Sequence, residues 1–159
     1  MIALARLVEE CVVAGLNDVD ADRLLRLARG ILGDYHEAED AVQDALVIAW
    51  KHWGQLRDTD RRDAWLMRIC VRRCLRMRSR LPPMPVESVP EAPAPDDARW
   101  AEWDGAFARL SPQQRAVVLL HYRLDYTLDE AAHAMGCRPG SARRHLSRAL
   151  ERLRKEIER

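Results

Sequence analysis

The sequence predicts an all-α protein: two small helical domains joined by a proline-rich acidic linker, the second domain containing a helix-turn-helix. Three observations carry that expectation. Apolar residues recur at three-four spacing in several stretches. Six of the eight prolines fall between Pro82 and Pro95. Capping signatures and turn glycines punctuate the C-terminal third. Val and Ile never alternate with polar residues over a strand's length, so no sheet is expected.

The elements follow in chain order. A short stretch near Leu4 to Ala14 and a longer one from Ala21 to Leu32 read as helices, separated by the turn-prone Asn17-Asp18. From Ala38 the apolar positions Ala38, Ala41, Val42, Ala45, Leu46, Ala49, Trp50 and Trp53 define one buried helical face. The next helix is expected from about Ala64 to Arg80, with Leu66, Ile69, Cys70, Cys74 and Met77 inward. Proline then removes backbone donors and drives the preceding residues out of the helical region. The stretch 81–97 carries Glu87, Glu91, Asp96 and Asp97 with no Lys or Arg, which predicts a semi-extended spacer. Domains at 1–80 and 98–159 result.

In the second domain, Ser111-Pro112-Gln113-Gln114 sets a hydroxyl, a first-turn proline and an amide in capping-box order, opening a helix from Gln113 to Leu124. Thr127-Leu128-Asp129-Glu130 repeats the device, and Gly136 suits a left-handed helix end. After Cys137-Arg138-Pro139-Gly140, Ser141 is expected to cap a last helix running to about Ile157.

The chain has 159 residues, 48% hydrophobic and 32% charged, enough for a core and too little bias for disorder. Its net charge of +1 conceals segregation. Between Trp65 and Arg80 stand Arg68, Arg72, Arg73, Arg76, Arg78 and Arg80 without one acid, a ridge suited to a polyanion. A second basic run contains Arg138, Arg143, Arg144 and Arg148 before the first acid, Glu151. The order short helix, glycine turn, basic helix is that of a helix-turn-helix. There the start of the second helix enters the major groove, placing Ser141, Arg143, Arg144 and Ser147 near base edges and Arg138 and Arg148 near phosphates. Arginine's planar fork suits guanine.

The opposite charge sits on the helix from Asp34 to Ala49, with Asp34, Glu37, Glu39, Asp40 and Asp44 and no Lys or Arg. Asp40, Gln43, Asp44 and Val47 are read as one face opposite Trp50. Such a face repels DNA and suits a basic protein partner.

The residues that carry these features resemble a known family. Glu39-Asp40-Ala41-Val42-Gln43-Asp44 through Trp50, Asp63-Ala64-Trp65-Leu66-Met67-Arg68-Ile69, Leu110-Ser111-Pro112-Gln113-Gln114-Arg115 and Pro139-Gly140-Ser141-Ala142-Arg143 are similar to motifs of the extracytoplasmic-function group of bacterial sigma factors. The resemblance runs from about Asp20 to Ile157, with the proline-rich stretch at the linker. It implies a promoter-specificity subunit of RNA polymerase and no enzymatic activity. Asp40, Gln43, Asp44 and Val47 would dock on the polymerase clamp's coiled coil. The loop from Arg57 to Asp63 and the arginine helix would capture the melted non-template strand of the minus-ten element through Arg61, Arg62, Trp65, Arg68, Arg72, Arg73 and Arg76. Extruding a base there requires contacts that offset unstacking. Thr127, Arg138, Ser141, Arg143, Arg144, Ser147 and Arg148 would meet duplex DNA at the minus-thirty-five element. Arg72 stands where many relatives carry Asn, which favours a phosphate contact over amide readout. A separate anti-sigma factor is implied as regulator, with the chain acting as a cytoplasmic monomer.

Other chemistries find little support. No Walker loop, dinucleotide fingerprint or nucleophile motif occurs. Cys70 and Cys74 lie on the apolar stripe and are expected to be core thiols, and with no Cys-x-x-Cys pair among the four cysteines a disulfide scaffold or zinc ribbon is disfavoured. His121, His133 and His145 do not share a helix face, so neither metal nor cofactor is expected. The N-terminus meets Arg6, Glu9 and Glu10 within ten residues and no 18-residue apolar run follows, so neither a signal peptide nor membrane insertion is expected. A stand-alone helix-turn-helix regulator remains an alternative, and a helical interaction module or thiol sensor a further one. A regulator reads a palindrome as a dimer, which a sigma factor does not require.

Overall fold

A computed structural model describes residues 21–58, 61–80 and 104–158. The segment Leu4–Ala14 and the linker 81–97 lie outside the described residues.

Helix α1 (Ala21–Leu32) buries Leu24, Leu27, Ala28, Ile31 and Leu32 and ends at Gly33, whose φ of 81° is left-handed. Helix α2 (Tyr35–His52) begins at Asp34, whose carboxylate accepts from Glu37 N at 2.9 Å. Its inward face is mostly alanine, and Ala38, Ala41, Val42, Ala45, Leu46 and Ala49 are wholly buried, so α1 and α3 approach closely. A 3₁₀ turn (Trp53–Gln55) closes it.

Helix α3 (Arg62–Arg80) starts two residues before the expected Ala64 and buries Leu66, Met67, Cys70, Val71 and Cys74. The core reading of both thiols therefore holds. Trp50 does not follow the sequence reading: it is 56% exposed. Seven residues separate it from Gln43 and three from Val47, so helical geometry sets all three on one side, away from the alanine face. Its partner in that reading, Trp53, is half-buried and meets Trp65 edge to face with centroids 6.2 Å apart.

The C-terminal half begins with the short α4 (Asp104–Ala108) and continues into α5 (Pro112–Val118), opened by the expected Ser111–Gln114 capping box. The predicted continuation to Leu124 is not an α-helix throughout. Leu119–Arg123 forms a π turn in which Leu124 N donates to Leu119 O at 3.2 Å. The turn brings Leu119 and Arg123 against α1, where with Arg23, Arg26, Leu27 and Leu124 they line a cleft of about 240 Å³. A side chain at Gly30 would place its Cβ 2.6 Å from Leu119 Cδ1, so any larger residue there would have to displace the Leu119 side chain.

Helix α6 (Leu128–Met135) has the Thr127–Glu130 capping box and ends at left-handed Gly136. Cys137 N reaches back to Ala132 O at 3.0 Å and Gly136 N to His133 O at 3.2 Å, the paired closure of a Schellman motif. Helix α7 (Pro139–Ile157) starts earlier than expected, with Arg138 at the N-cap and Ser141 inside the first turn. Proline, with its preset φ and no N–H to satisfy, takes the first helical position and fixes the start there.

Burial is continuous across the halves. α3 packs on α6, and α1 on α5 and the π turn, so Leu27, Val71, Val117, Leu120 and Ala131 belong to one apolar cluster. The sequence contains no signal for this seam.

Candidate nucleic-acid interface

On α2 the residues expected to face polymerase divide. Asp40 is exposed, and Gln43 and Val47 are half-buried beside exposed Trp50. Asp44 is engaged within the fold: Arg73 Nε donates to Asp44 Oδ2 at 2.8 Å. The acidic face and the arginine helix are thus joined, and a second pair, Arg78 with Glu37 at 3.6 Å, repeats the link about two turns away along α2.

The arginines of α3 accordingly form three groups rather than one ridge. Arg73 and Arg78 turn toward α2. Arg68 and Arg72, four apart, turn toward α6, while Arg76, four further on, is exposed. Arg68 Nη1 lies 2.7 Å from His133 Nε2. Arg72 Nη2 donates to His133 O at 2.8 Å and Nε to Ala134 O at 3.4 Å. Burial, then the charges of Arg68 and Arg76, lowers the Arg72 pKa. At the head of α3, Arg61 pairs with Asp58 at 3.4 Å, Arg62 Nε lies 3.7 Å from an Asp63 oxygen, and Trp65 is half-buried against Trp53.

The helix-turn-helix set lies along α6, the Gly136 turn and the start of α7. Arg138, Arg144, Ser147 and Arg148 are exposed and Ser141 is half-buried. Arg143 Nη2 donates to Asp129 Oδ1 at 3.1 Å across the motif. Thr127 is committed to its cap: its hydroxyl donates to Glu130 Oε2 at 2.7 Å and accepts from Glu130 N at 3.2 Å. The hydroxyl bond, together with Thr127 N donating to the same Oε2 at 2.8 Å, holds the Glu130 carboxyl below the usual glutamate range.

Behind the motif lies Arg115, which the sequence shows only as the last residue of the Leu110–Arg115 motif, with no role attached. Its Nε donates to Phe107 O at 3.1 Å, Nη2 to Ala108 O, and Nη1 to Ile31 O at 3.3 Å in the last turn of α1. Burial, with the charge of Arg78, lowers its pKa to about 10.

The other titratable residues sit apart. The Cys74 thiol is pushed well up by the Cys70 side chain and by burial. His121 Nδ1 lies 2.7 Å from Tyr126 O, and His145 is lowered by burial and then by Arg148 and Arg144. Among the described residues no group of His, Cys, Asp or Glu could hold a metal ion, and no helix is long and apolar enough to cross a membrane.

An all-helical protein with an arginine-rich helix and a helix-turn-helix, both supported on one core, is of the DNA-binding class. Comparison with known proteins makes that specific. The Sigma-70 region 2 family matches residues 20–81 and the Sigma-70 region 4 family residues 101–153. The chain is 36% identical over 143 residues to the RNA polymerase sigma-E factor of Streptomyces coelicolor, covering 86% of this chain and 80% of that one. It is 32% identical over 158 residues to the ECF RNA polymerase sigma factor SigL of Mycobacterium tuberculosis, covering 92% and 89%. Among solved structures, the sigma factor RpoE of Bartonella quintana in complex with the anti-sigma factor NepR superposes with a TM-score of 0.65 at 25% identity, over 94% of this chain and 95% of that one. CnrH in complex with the cytosolic domain of CnrY shares the fold at a TM-score of 0.58 and 22% identity, over 98% and 88%. The chain belongs to the extracytoplasmic-function sigma factors of the sigma-70 family and is an RNA polymerase sigma factor.

Proposed function

We propose that this sigma factor docks on core RNA polymerase through the outer face of α2 and divides promoter recognition between its halves. The observation that carries the reading is charge placed by fold: an acid-bearing α2 face stands beside an arginine helix, and a helix-turn-helix presents Arg138, Arg144 and Arg148 to solvent. Asp40, Gln43 and Val47 form the polymerase contact, with Asp44 contributing once free of Arg73. Exposed Trp50 supplies an apolar anchor of the kind that dominates protein interfaces.

Residues 1–80 form the domain for core polymerase and the minus-ten element, 81–97 the linker and 98–159 the minus-thirty-five domain. Arg61, Arg62, Trp65, Arg68, Arg72, Arg73 and Arg76 serve the melted non-template strand. Thr127, Arg138, Ser141, Arg143, Arg144, Ser147 and Arg148 serve the upstream duplex, Thr127 by fixing the motif's entry. The chain works as a non-enzymatic monomer in the cytoplasm. An anti-sigma factor is its regulator, a reading supported by the superposed RpoE, which is in complex with the anti-sigma factor NepR.

The test is co-elution of the purified chain with sigma-free core polymerase on gel filtration. Wild type is expected to co-elute, and Asp40→Lys with Trp50→Ala to elute alone while retaining its helical circular dichroism. Equal co-elution of both rejects the α2 face. No co-elution, with a wild-type dimer that shifts duplex DNA unaided, favours a stand-alone regulator.

A further inference from the structure

The cleft between α1 and the π turn serves none of the roles assigned above. Its lining is of two kinds. Leu27, Leu119 and Leu124 supply an apolar floor, while Arg23 and Arg26 from α1 and Arg123 from the π turn bring three guanidinium groups to it. Among the described residues no acid lines the cleft.

The fold makes this combination. Arg23, Arg26 and Leu27 stand three and four apart, so they share one face of α1. Gly30, the next position along that face, has no side chain to hold off Leu119, and the π turn settles close. Leu27 and Leu119 are buried, Arg23, Arg123 and Leu124 half-buried and Arg26 exposed, so the cleft grades from an apolar floor to a cationic mouth.

Three like charges around a concave apolar surface repel one another and focus a positive potential there. An anion relieves that repulsion, and the lining narrows which anion. A carboxylate brings one charge and two oxygens. A phosphate monoester brings a charge of about −1.5 to −2 and three acceptor oxygens, one for each arginine, and the guanidinium fork matches its geometry. The leucine floor calls for an apolar body on the same molecule. A volume of about 240 Å³ lies just below the roughly 300–1,000 Å³ of ligand pockets, which suits one small molecule.

We propose that this cleft binds a small phosphate monoester with an apolar or aromatic body, held by Arg23, Arg26 and Arg123 over the three leucines. The site draws α1 from one half of the chain and the π turn from the other. Its occupant therefore stabilises the folded protein as its concentration rises, and makes the chain responsive to a phosphorylated metabolite.

The experiment titrates phenyl phosphate into the full chain, with calorimetry for affinity and methyl NMR of leucine-labelled protein for location. Inorganic phosphate carries the charge without the ring, and benzoate the ring with a carboxylate. Each is expected to bind about tenfold more weakly. The Leu27, Leu119 and Leu124 methyl signals are expected to move with phenyl phosphate and to stay in place with a short DNA duplex. Arg26→Gln, at an exposed position, and Arg123→Gln are each expected to weaken phenyl phosphate about tenfold. Arg154→Gln, which removes the same charge from an exposed site on α7, is expected to leave the affinity unchanged.

Equal binding of the three anions overturns the proposal, as does an equal loss in Arg154→Gln, which would reduce the effect to net charge. Unmoved leucine methyls put the phosphate elsewhere, and methyls moved by the duplex give the cleft to the DNA backbone; either result overturns it too. Arg26→Gln decides the matter even if Arg123→Gln fails to fold. Polymerase co-elution is independent of all these outcomes, so the proposed function stands or falls separately.

Discussion

Arg73 and Asp44 hold one another across α3 and α2, with Arg73 Nε donating to Asp44 Oδ2 at 2.8 Å. The pair joins a residue read as facing protein to one read as facing DNA. Both side chains are partly exposed, so the pair contributes about 0.2–1 kcal/mol. Asp44→Lys, which sets two cations together, is expected to lower Tm by a few degrees, whereas Asp40→Lys leaves it unchanged. Thermal melts of the two single variants check this, and an equal effect contradicts the pairing.

Glycine substitutions at helix ends separate two costs. Gly136→Ala demands a left-handed φ of an alanine, about 1–2 kcal/mol, and crowds Arg72 as well. Gly140→Ala, in the first turn of α7 with nothing within 4 Å, is expected to stabilise by about 0.5–1 kcal/mol. Urea denaturation of the two proteins should move the midpoint in opposite directions.

Arg143→Ala and Arg144→Ala test base reading. Each is expected to relax preference at one upstream base pair by about 1–3 kcal/mol, measured with a panel of duplexes bearing single changes. A uniform loss on every duplex would reduce the residue to a phosphate contact. Asp129→Ala releases Arg143 from its 3.1 Å bond and is expected to tighten non-specific duplex binding.

The thiols of Cys70 and Cys74 should be inert in the folded chain. Both are wholly buried, and Cys74 ionises less readily than an ordinary cysteine. Iodoacetamide followed by peptide mass spectrometry is expected to label them only after denaturant is added. Cys70→Ser with Cys74→Ser should leave polymerase and DNA binding unchanged, with a stability loss of about 1–3 kcal/mol from the added polar groups. Rapid labelling of either thiol in the native chain would revive a redox role.

Acid should loosen the entry to the helix-turn-helix. The Glu130 carboxyl is lowered by its bonds to the Thr127 hydroxyl and backbone, so its contribution is present above the unfolded glutamate pKa and lost as pH falls through the folded value. Amide hydrogen exchange at Leu128–Glu130 is therefore expected to quicken below about pH 4, relative to α5. Thr127→Val should show quickened exchange at neutral pH.

Much of this architecture was legible because it is local. Capping boxes at Ser111 and Thr127, the glycine at 136 and the spacing of Ala38 through Ala49 each specify a structure within a few residues. Trp50 fits the apolar stripe by residue type but not by angle, since it stands three residues from Val47 and seven from Gln43 on the outer side of the helix. The arginines of α3 were read as one surface because sequence spacing gives a residue's direction but not the neighbour it meets. The role of Arg115 is invisible in the sequence for a related reason. Its three acceptors are backbone carbonyls, which every residue has, and one lies 84 positions away.

The π turn at Leu119–Arg123 has a consequence for relatedness. Such a turn closes on the fifth residue back where an α-turn closes on the fourth, so it holds one residue more than the helix it interrupts. A homologue with an unbroken helix there would align with a one-residue gap between Val118 and Leu124. Taking out one residue in this stretch is therefore the milder edit for the helix geometry. Yet it would swing the remainder of the turn by about 100° and carry the side chain at position 123 off the α1 cleft. At this place chain length, rather than side-chain identity, is the variable to follow across the family.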